Sequence, residues 1–339
     1  MRGCPAWSCC ATIARTFYSP RRCPTVNLTY ELETAKTIAR VAAGICQNIQ
    51  EELVDPSQKD GREPVTIADY ASQAIIGNAL AENFPDDAVL SEERSEEFML
   101  LLSDRQRALV QRFVTDAVGG YVFEEQVCAW LDFGKQKRAE RTWIVDPIDG
   151  TKGFLAGRHY CVAIALMIGN EPVLGVLASP GLFCDEPEPP EDLGALTYAQ
   201  RGSGAYREPL AGGWREPIQV STVTDPREAL LLTSFEPGHT DQDFLVQVNR
   251  ALGRGPDAPQ RGVDSQDKYA LVASGMGDMY LRVVPDPRFQ EKLWDHAAGY
   301  VIVTEAGGRM TDVAGRPIDW TAGPRMVNNR GVVVTNRYL

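Results

Sequence analysis

The stretch WIVDPIDGT, Trp143 to Thr151, does most to limit what this chain can fold into. Trp143, Ile144 and Val145 read as the end of a buried strand. Pro147 lacks an N–H and drives Asp146 into an extended conformation, so the strand is expected to leave its ladder at Asp146. Asp146 and Asp149 then flank a short rigid turn and can converge on one point, with the Ile148 carbonyl, freed from strand pairing, facing the same point. Three oxygens so arranged make half of a site for a hard cation such as Mg²⁺, which takes oxygen ligands and keeps some of its waters. Gly150 and Thr151 follow at a candidate helix start, where unpaired N–H groups favour a phosphate. Asp, Pro and Gly are also ordinary turn residues, so this stretch alone leaves a metal site and a solvated surface turn both open.

Composition narrows the partners. The chain has 339 residues, 44% of them hydrophobic, enough for one large domain or two. A net charge of -12 argues against a nucleic-acid polymer, while a small phosphate remains acceptable if cations invert the local field. No run approaches the roughly 18 apolar residues of a membrane span. Residues 1–27 carry Arg2, Arg15, Arg21 and Arg22 and no acidic residue, the composition of an organellar transit peptide (chloroplast or mitochondrion); an untargeted tail on a cytoplasmic protein is the alternative. No CxxC pair occurs, and His159, His239 and His296 are far apart, so neither a disulfide framework nor a zinc or histidine-based metal site is expected.

Periodicity gives the rest of the chain. Leu32, Ala35, Ile38, Ala39, Ala42, Ile45, Cys46, Ile49 and Leu53 recur at helical spacing, predicting an amphipathic helix over residues 30–53. A second helix is expected to open at VTIADY and run to about Phe84, with Asp69 in its first turn. Ala88 to Ser91 reads as a short strand running into Glu92 and Glu93; residues 103–133 read as two helices broken at Gly119 and Gly120, followed by a basic surface loop. YCVAIALMI and EPVLGVLAS form a hairpin around Gly169 and Asn170, and ALTYAQRGSGAYRE forms another turning at Gly202 and Gly204, whose GxG lacks the rest of a dinucleotide fingerprint. The acidic, proline-rich residues 184–192 read as a loop. A boundary near Asp225 and Pro226 divides an N-terminal α+β domain with the metal site (28–222) from a C-terminal α/β domain (223–339). In the latter, ALLLTSF is a strand, 241–252 a helix, 263–284 a strand end, helix and strand, 293–305 a helix, and VVVTN the last strand.

Four separated stretches, VTIADY with Asp69, SEE with Glu92, DPIDGT, and WDHAAG with Asp295, together resemble the lithium-sensitive, magnesium-dependent phosphatase superfamily that includes inositol monophosphatase. DPIDGTKGF, DFG at 132–134, Gly238–His239, VDSQDKY, YLR and EKLWDHAAG make the chain most similar to its 3′(2′),5′-bisphosphate nucleotidases, over roughly residues 30–335. The resemblance implies a layered α/β/α/β/α sandwich with the site between two domains. It implies that Glu92, Asp146, the Ile148 carbonyl, Asp149 and Asp295 hold two or three Mg²⁺ ions, and that Asp69 and Thr151 orient and deprotonate the attacking water. Gly150, Thr151, His239, Ser265, Lys268 and Arg282, with Asp295 close by, would bind a small nucleotide bisphosphate. The implied reaction takes adenosine 3′,5′-bisphosphate to AMP and phosphate, and extends to the 3′-phosphate of 3′-phosphoadenylyl sulfate, inhibition by Li⁺ and Na⁺ and a link to sulfate assimilation, in a monomer with no nucleic-acid or membrane partner. Five crowded carboxylates repel one another unless cations intervene, which fits that assignment. His296, beside Asp295, is expected to point away from the site. An inositol (poly)phosphate phosphatase is the closest rival, and a non-catalytic nucleotide sensor the remote one. Two departures stand out: Ser91 where many relatives have glycine, and an end at Leu339 where relatives usually continue into a helix.

Overall fold

The computed structural model describes residues 27–54, 63–184, 194–235, 241–283, 286 and 288–339. The leader reading, most of the acidic loop and His239 fall outside the described residues.

The chain opens with two long helices, α1 (Thr29–Leu53) and α2 (Glu63–Asn83). Strand β1 (Ala88–Ser91), helices α3 (Ser95–Leu101), α4 (Asp104–Val118) and α5 (Glu124–Leu131), strand β2 (Arg141–Asp149) and the short helix α6 (Thr151–Leu155) follow. A meander of β3 (Cys161–Ile168), β4 (Glu171–Ser179), β5 (Ala195–Gln200), β6 (Ala205–Pro209) and β7 (Glu216–Ile218) comes next. The remainder is β8 (Leu231–Thr233), α7 (Gln242–Ala251), β9 (Gln260–Gly262), α8 (Asp267–Ala273), β10 (Met279–Arg282), α9 (Ala297–Glu305), β11 (Arg309–Thr311) and β12 (Val332–Thr335).

Strands β1 to β7 form one sheet in chain order, parallel only between β1 and β2, and a second sheet has the order β11-β12-β10-β8-β9. Alternation along each strand decides what covers the two faces. Trp143, Val145, Val162, Ile164 and Leu166 point into a core shared with α1 and α2. Ile144, Ala163, Ala165 and Met167 point the other way, onto α8 and α9, and the same core takes Leu232, Tyr280, Val332 and Val334 from the second sheet. Leu231, Met279 and Leu281 face outward from that sheet against Leu245 of α7. The layers therefore run α, β, α, β, α, as the resemblance implies. The middle layer is thin because small residues let backbones approach: a Cβ on Gly175 of β4 would collide with the Ala298 carbonyl of α9.

Local chemistry explains the boundaries. α4 begins at a capping box between Ser103 and Gln106 and ends at Gly119, whose φ of 75° suits a left-handed stop. Gly202 and Gly204 turn the β5–β6 hairpin, and both N–H groups donate to Glu305 of α9 at 2.9 Å.

Three expectations need correction. β2 does not leave its ladder at Asp146: Asp146 pairs with Ala163, the register shifts, and pairing resumes at Asp149 opposite Cys161. α2 begins at Glu63, so Asp69 lies in its second turn, away from the free N–H groups of the helix start. α9 begins at Ala297, so Asp295 lies in the turn ahead of the helix. Elements α3 and β11 were not expected, and the basic loop after α5 is tied to the fold: Val89 N–H donates to the Gly134 carbonyl at 3.2 Å, and Lys135 reaches the Glu93 carbonyl.

Candidate active site

The register shift in β2 places Pro147 and Ile148 opposite no residue of β3, and β1 pairs with β2 only as far as Val145. Ile148 thus falls outside both ladders, with Asp146 and Asp149 on either side of the bulge. Ser72 of α2 donates to the Pro147 carbonyl at 2.9 Å and pins the bulge from behind. Gly150 then turns with φ of 94° into α6. A Cβ at Gly150 would stand 2.8 Å from that of Ser265, itself a non-glycine residue with φ of 60°. A left-handed glycine therefore faces a left-handed serine where the sheets meet, and the serine's conformation is the sparsely populated one.

These elements wall a cavity of about 400 Å³, within the usual range for small-molecule sites. Glu92 at the end of β1, Asp146, Ile148 and Asp149 on β2, Gly150 and Thr151 at α6, and Asp295 before α9 line one side. Ser265 and Lys268 near α8 and Arg282 on β10 line the other. Asp69 does not line it; it lies behind, within electrostatic reach of Glu92 and Asp146. Every described residue expected at the site is therefore gathered at or behind one cavity, and His239 lies outside the described residues.

Electrostatics show what the acidic wall lacks. Asp146 is 2% exposed and its Oδ1 has no hydrogen-bond partner. Burial, then Glu92, Asp149 and Asp295, push its carboxyl well above the ordinary range. Burial and Asp295 push Asp149 up to about 6, against the pull of Lys268 and Arg282. Burial, Asp295 and Glu93 push Glu92 up to about 7. Asp69 is raised too, by burial and then by Glu93 and Glu92. Buried carboxylates normally find partners. An orphaned Asp146 oxygen beside Glu92 and Asp149, whose carboxyls resist ionisation, fits a set of hard oxygen donors for divalent cations.

The opposite wall is cationic. Lys268 is 3% exposed, donates to the Val263 carbonyl at 2.8 Å, and has its pKa lowered to about 8 by burial. Arg282 Nε donates to Glu291 Oε2 at 2.9 Å, and its NH2 group is 3.7 Å from Asp295. Burial alone would raise the Glu291 carboxyl, but bonds from His296 and Arg282 hold it below its ordinary value. His296 turns from the cavity as expected, 1% exposed, towards Tyr269 and Glu291. Sequence reasoning missed Ser234, Asp264, Gln266 and Tyr280 on the lining. Ser234 follows directly on β8, where the carboxyl ends of strands open onto crevices, a signal that could have found it.

Solved structures share this architecture. The chain matches the inositol monophosphatase of Thermotoga maritima with a TM-score of 0.60 and 23% identity, covering 91% of this chain and 92% of that one. It matches an inositol monophosphatase from Zymomonas mobilis at 0.61 and 20% identity, covering 92% and 94%. The fold is thus that of the inositol monophosphatase-like phosphatases. Residues 27–339 match the Inositol monophosphatase family, and the chain belongs to it, a family of metal-dependent phosphatases. Curated relatives are named 3′(2′),5′-bisphosphate nucleotidase: one from Oryza sativa is 35% identical, with 91% of each chain covered. One from Candida albicans is 33% identical, with 91% of this chain and 92% of the relative covered.

Proposed function

We propose that the chain is a Mg²⁺-dependent 3′(2′),5′-bisphosphate nucleotidase that hydrolyses adenosine 3′,5′-bisphosphate to AMP and phosphate. The observation that carries this reading is the pairing of two unlike walls in one cavity: an acidic wall with an orphaned Asp146 oxygen, and a cationic wall of Lys268 and Arg282. Cations on the acidic wall serve the phosphate that reacts. The second wall answers a second phosphate, Arg by its planar fork and Lys as a point charge. The names of the curated relatives support the same substrate.

Glu92, Asp146, the Ile148 carbonyl, Asp149 and Asp295 would hold two or three Mg²⁺ ions. When bound, such ions supply positive charge to a reacting phosphoryl group and acidify water. The protein's own groups do the rest. Thr151, on the lining, would orient the attacking water and take its proton as its own hydroxyl proton passes to Asp69 behind it, whose pKa burial raises. Gly150 and Thr151 offer backbone N–H groups to the phosphate, and Ser265, Lys268, Arg282 and His239 hold the nucleotide. The reading extends to the 3′-phosphate of 3′-phosphoadenylyl sulfate, and so to sulfate assimilation, and to inhibition by Li⁺ and Na⁺ competing for oxygen donors.

Phosphate release with Mg²⁺ present, on a panel of adenosine 3′,5′-bisphosphate, 3′-phosphoadenylyl sulfate and inositol phosphates, tests the proposal. Brisk turnover of the inositol phosphates with none of the bisphosphate reassigns the chain to inositol phosphate hydrolysis. Bisphosphate binding with no phosphate released makes it a sensor.

A further inference from the structure

We infer that Glu291 is a positioning residue for the non-reacting phosphate: it holds the Arg282 guanidinium on the cavity wall and keeps it off the Asp295 carboxylate. The inference rests on the proposed reading of the cavity as a bisphosphate-nucleotide site. Glu291 is 3% exposed and does not line the cavity. Its Oε2 takes the Arg282 Nε–H at 2.9 Å and lies 3.2 Å from His296 Nε2, while His296 Nδ1 lies 2.6 Å from the Tyr269 hydroxyl. One proton arrangement satisfies every contact: Tyr269 donates to Nδ1, and Nε2–H donates to Glu291. A chain of buried bonds thus runs from α8, through the turn ahead of α9, to β10.

The far end of this chain cannot shift. Tyr269 is 1% exposed, its ring stands at right angles to that of Tyr280 with centroids 5.5 Å apart, and Gly299 of α9 packs so tightly on it that a Cβ there would overlap the ring. Tyr269 also follows Lys268 directly, so one anchor fixes the register of both cations of the wall.

Two carboxylates compete for Arg282. Glu291 holds it at hydrogen-bond distance, and Asp295 attracts it from 3.7 Å. With the Glu291 charge removed, Asp295 becomes the strongest neighbouring acceptor, and the guanidinium swings towards the acidic wall. A phosphate then loses its fork, since a bidentate contact depends on the plane of the guanidinium. Glu291, Asp295 and His296 bring ligand atoms within 4.8 Å of one another, a spacing that invites a metal reading. The bonds to Arg282 and Tyr269 already engage Glu291 and His296, so the group acts as a clamp.

The test compares wild type and Glu291→Gln in saturating Mg²⁺ on adenosine 3′,5′-bisphosphate and on 3′-AMP, which lacks the second phosphate. KM for the bisphosphate should rise about tenfold or more, as for loss of a charged hydrogen-bond partner, with kcat within about twofold and KM for 3′-AMP almost unmoved. In an Arg282→Lys background, Glu291→Gln should add no further loss of preference for the bisphosphate. An equal rise in both KM values, or a folded Glu291→Gln protein that keeps the wild-type preference, overturns the inference. Should that variant fail to fold, Tyr269→Phe, which leaves every charge in place, carries the test: KM for the bisphosphate should rise about threefold relative to 3′-AMP, and an unchanged ratio overturns it. Wild-type protein that hydrolyses neither nucleotide refutes the functional reading, and the inference falls with it; wild-type preference that survives Glu291→Gln refutes the role of Glu291 alone.

Discussion

Asp149→Asn separates the cost of the acidic wall from its use. Burial and Asp295 raise the Asp149 carboxyl from 3.8 to about 6 in the folded, metal-free protein. The folded state then keeps its proton to higher pH than the unfolded state, so stability falls as pH rises between those two values and stays reduced above them. At about 1.36 kcal/mol per unit, the cost above the window is at most about 3 kcal/mol, and at pH 4.5 it shrinks to about 1 kcal/mol. Asparagine keeps the shape and carries no charge. In EDTA, the variant should therefore resist urea better than wild type by up to about 3 kcal/mol at pH 7.5, and by much less at pH 4.5. Mg²⁺ should narrow that gap. A cation at a hundred times its Kd stabilises wild type by about 2.7 kcal/mol, and the variant, missing a ligand, gains less. Phosphate release should be abolished. Paired urea titrations in EDTA and in Mg²⁺ at both pH values give all the quantities. A variant less stable than wild type in EDTA at pH 7.5, or one that gains as much from Mg²⁺, refutes the reasoning.

Further outcomes follow from other parts of the molecule. Gly150→Ala puts a methyl group 2.8 Å from the Ser265 Cβ at a φ of 94°, so it should cost about 1–2 kcal/mol of stability and sharply lower kcat/KM; wild-type kinetics would show that the turn has slack. Ser103→Ala removes the α4 capping box and should cost about 1 kcal/mol in urea unfolding while leaving kinetics untouched. The arginine-rich leader is proposed as an organellar address: residues 1–30 fused to a fluorescent protein should carry it to a chloroplast or mitochondrion, and diffuse cytosolic fluorescence would refute this.

What could be read from sequence depended on how many faces an element buries. Helix α1 packs one side, so its apolar stripe predicted its span to within a residue. Helix α2 hides Ala68, Tyr70, Ala71, Ala74, Ile75 and Ile76 around most of its circumference, so no stripe marks its start and Asp69 was assigned to the wrong turn. β3 and β4 are buried on both faces and showed as unbroken apolar runs, whereas β11, with three residues, is too short to carry a period. At the site, the DPIDG chemistry announced an exit from the ladder at Asp146; the chain makes a bulge there instead, and the ladder resumes because Asp149 still reaches Cys161. The run from Leu293 looked helical throughout; the break at His296, with φ of -138°, leaves Asp295 outside the helix. Glu291 opens the EKLWDHAAG stretch that carries the resemblance, but its role was not legible there, since that role lies in partners on β10 and beside α9 that only the folded chain assembles.

The acidic groups come from the ends of β1 and β2 and the turn before α9, the cationic ones from α8 and β10, and each set is unfavourable alone. The acidic wall gathers carboxyls that repel, and the cationic wall buries Lys268 at the expense of its charge. They are joined at a narrow seam by His159 to Asp267 at 3.1 Å, both fully buried, by Arg158 to Asp264 at 3.0 Å, and by the facing Gly150 and Ser265. Strained backbone persists only where surrounding contacts over-determine it, so the seam must be held by packing on both sides. The small residues of β3 and β4 let α9 come close enough to do that, and the core around α9 also takes in Leu232, Tyr280, Val332 and Val334 of the second sheet. Loosening α9 in that middle layer should therefore damage cation binding and phosphate binding together, even though its residues Ala297–Glu305 do not line the cavity.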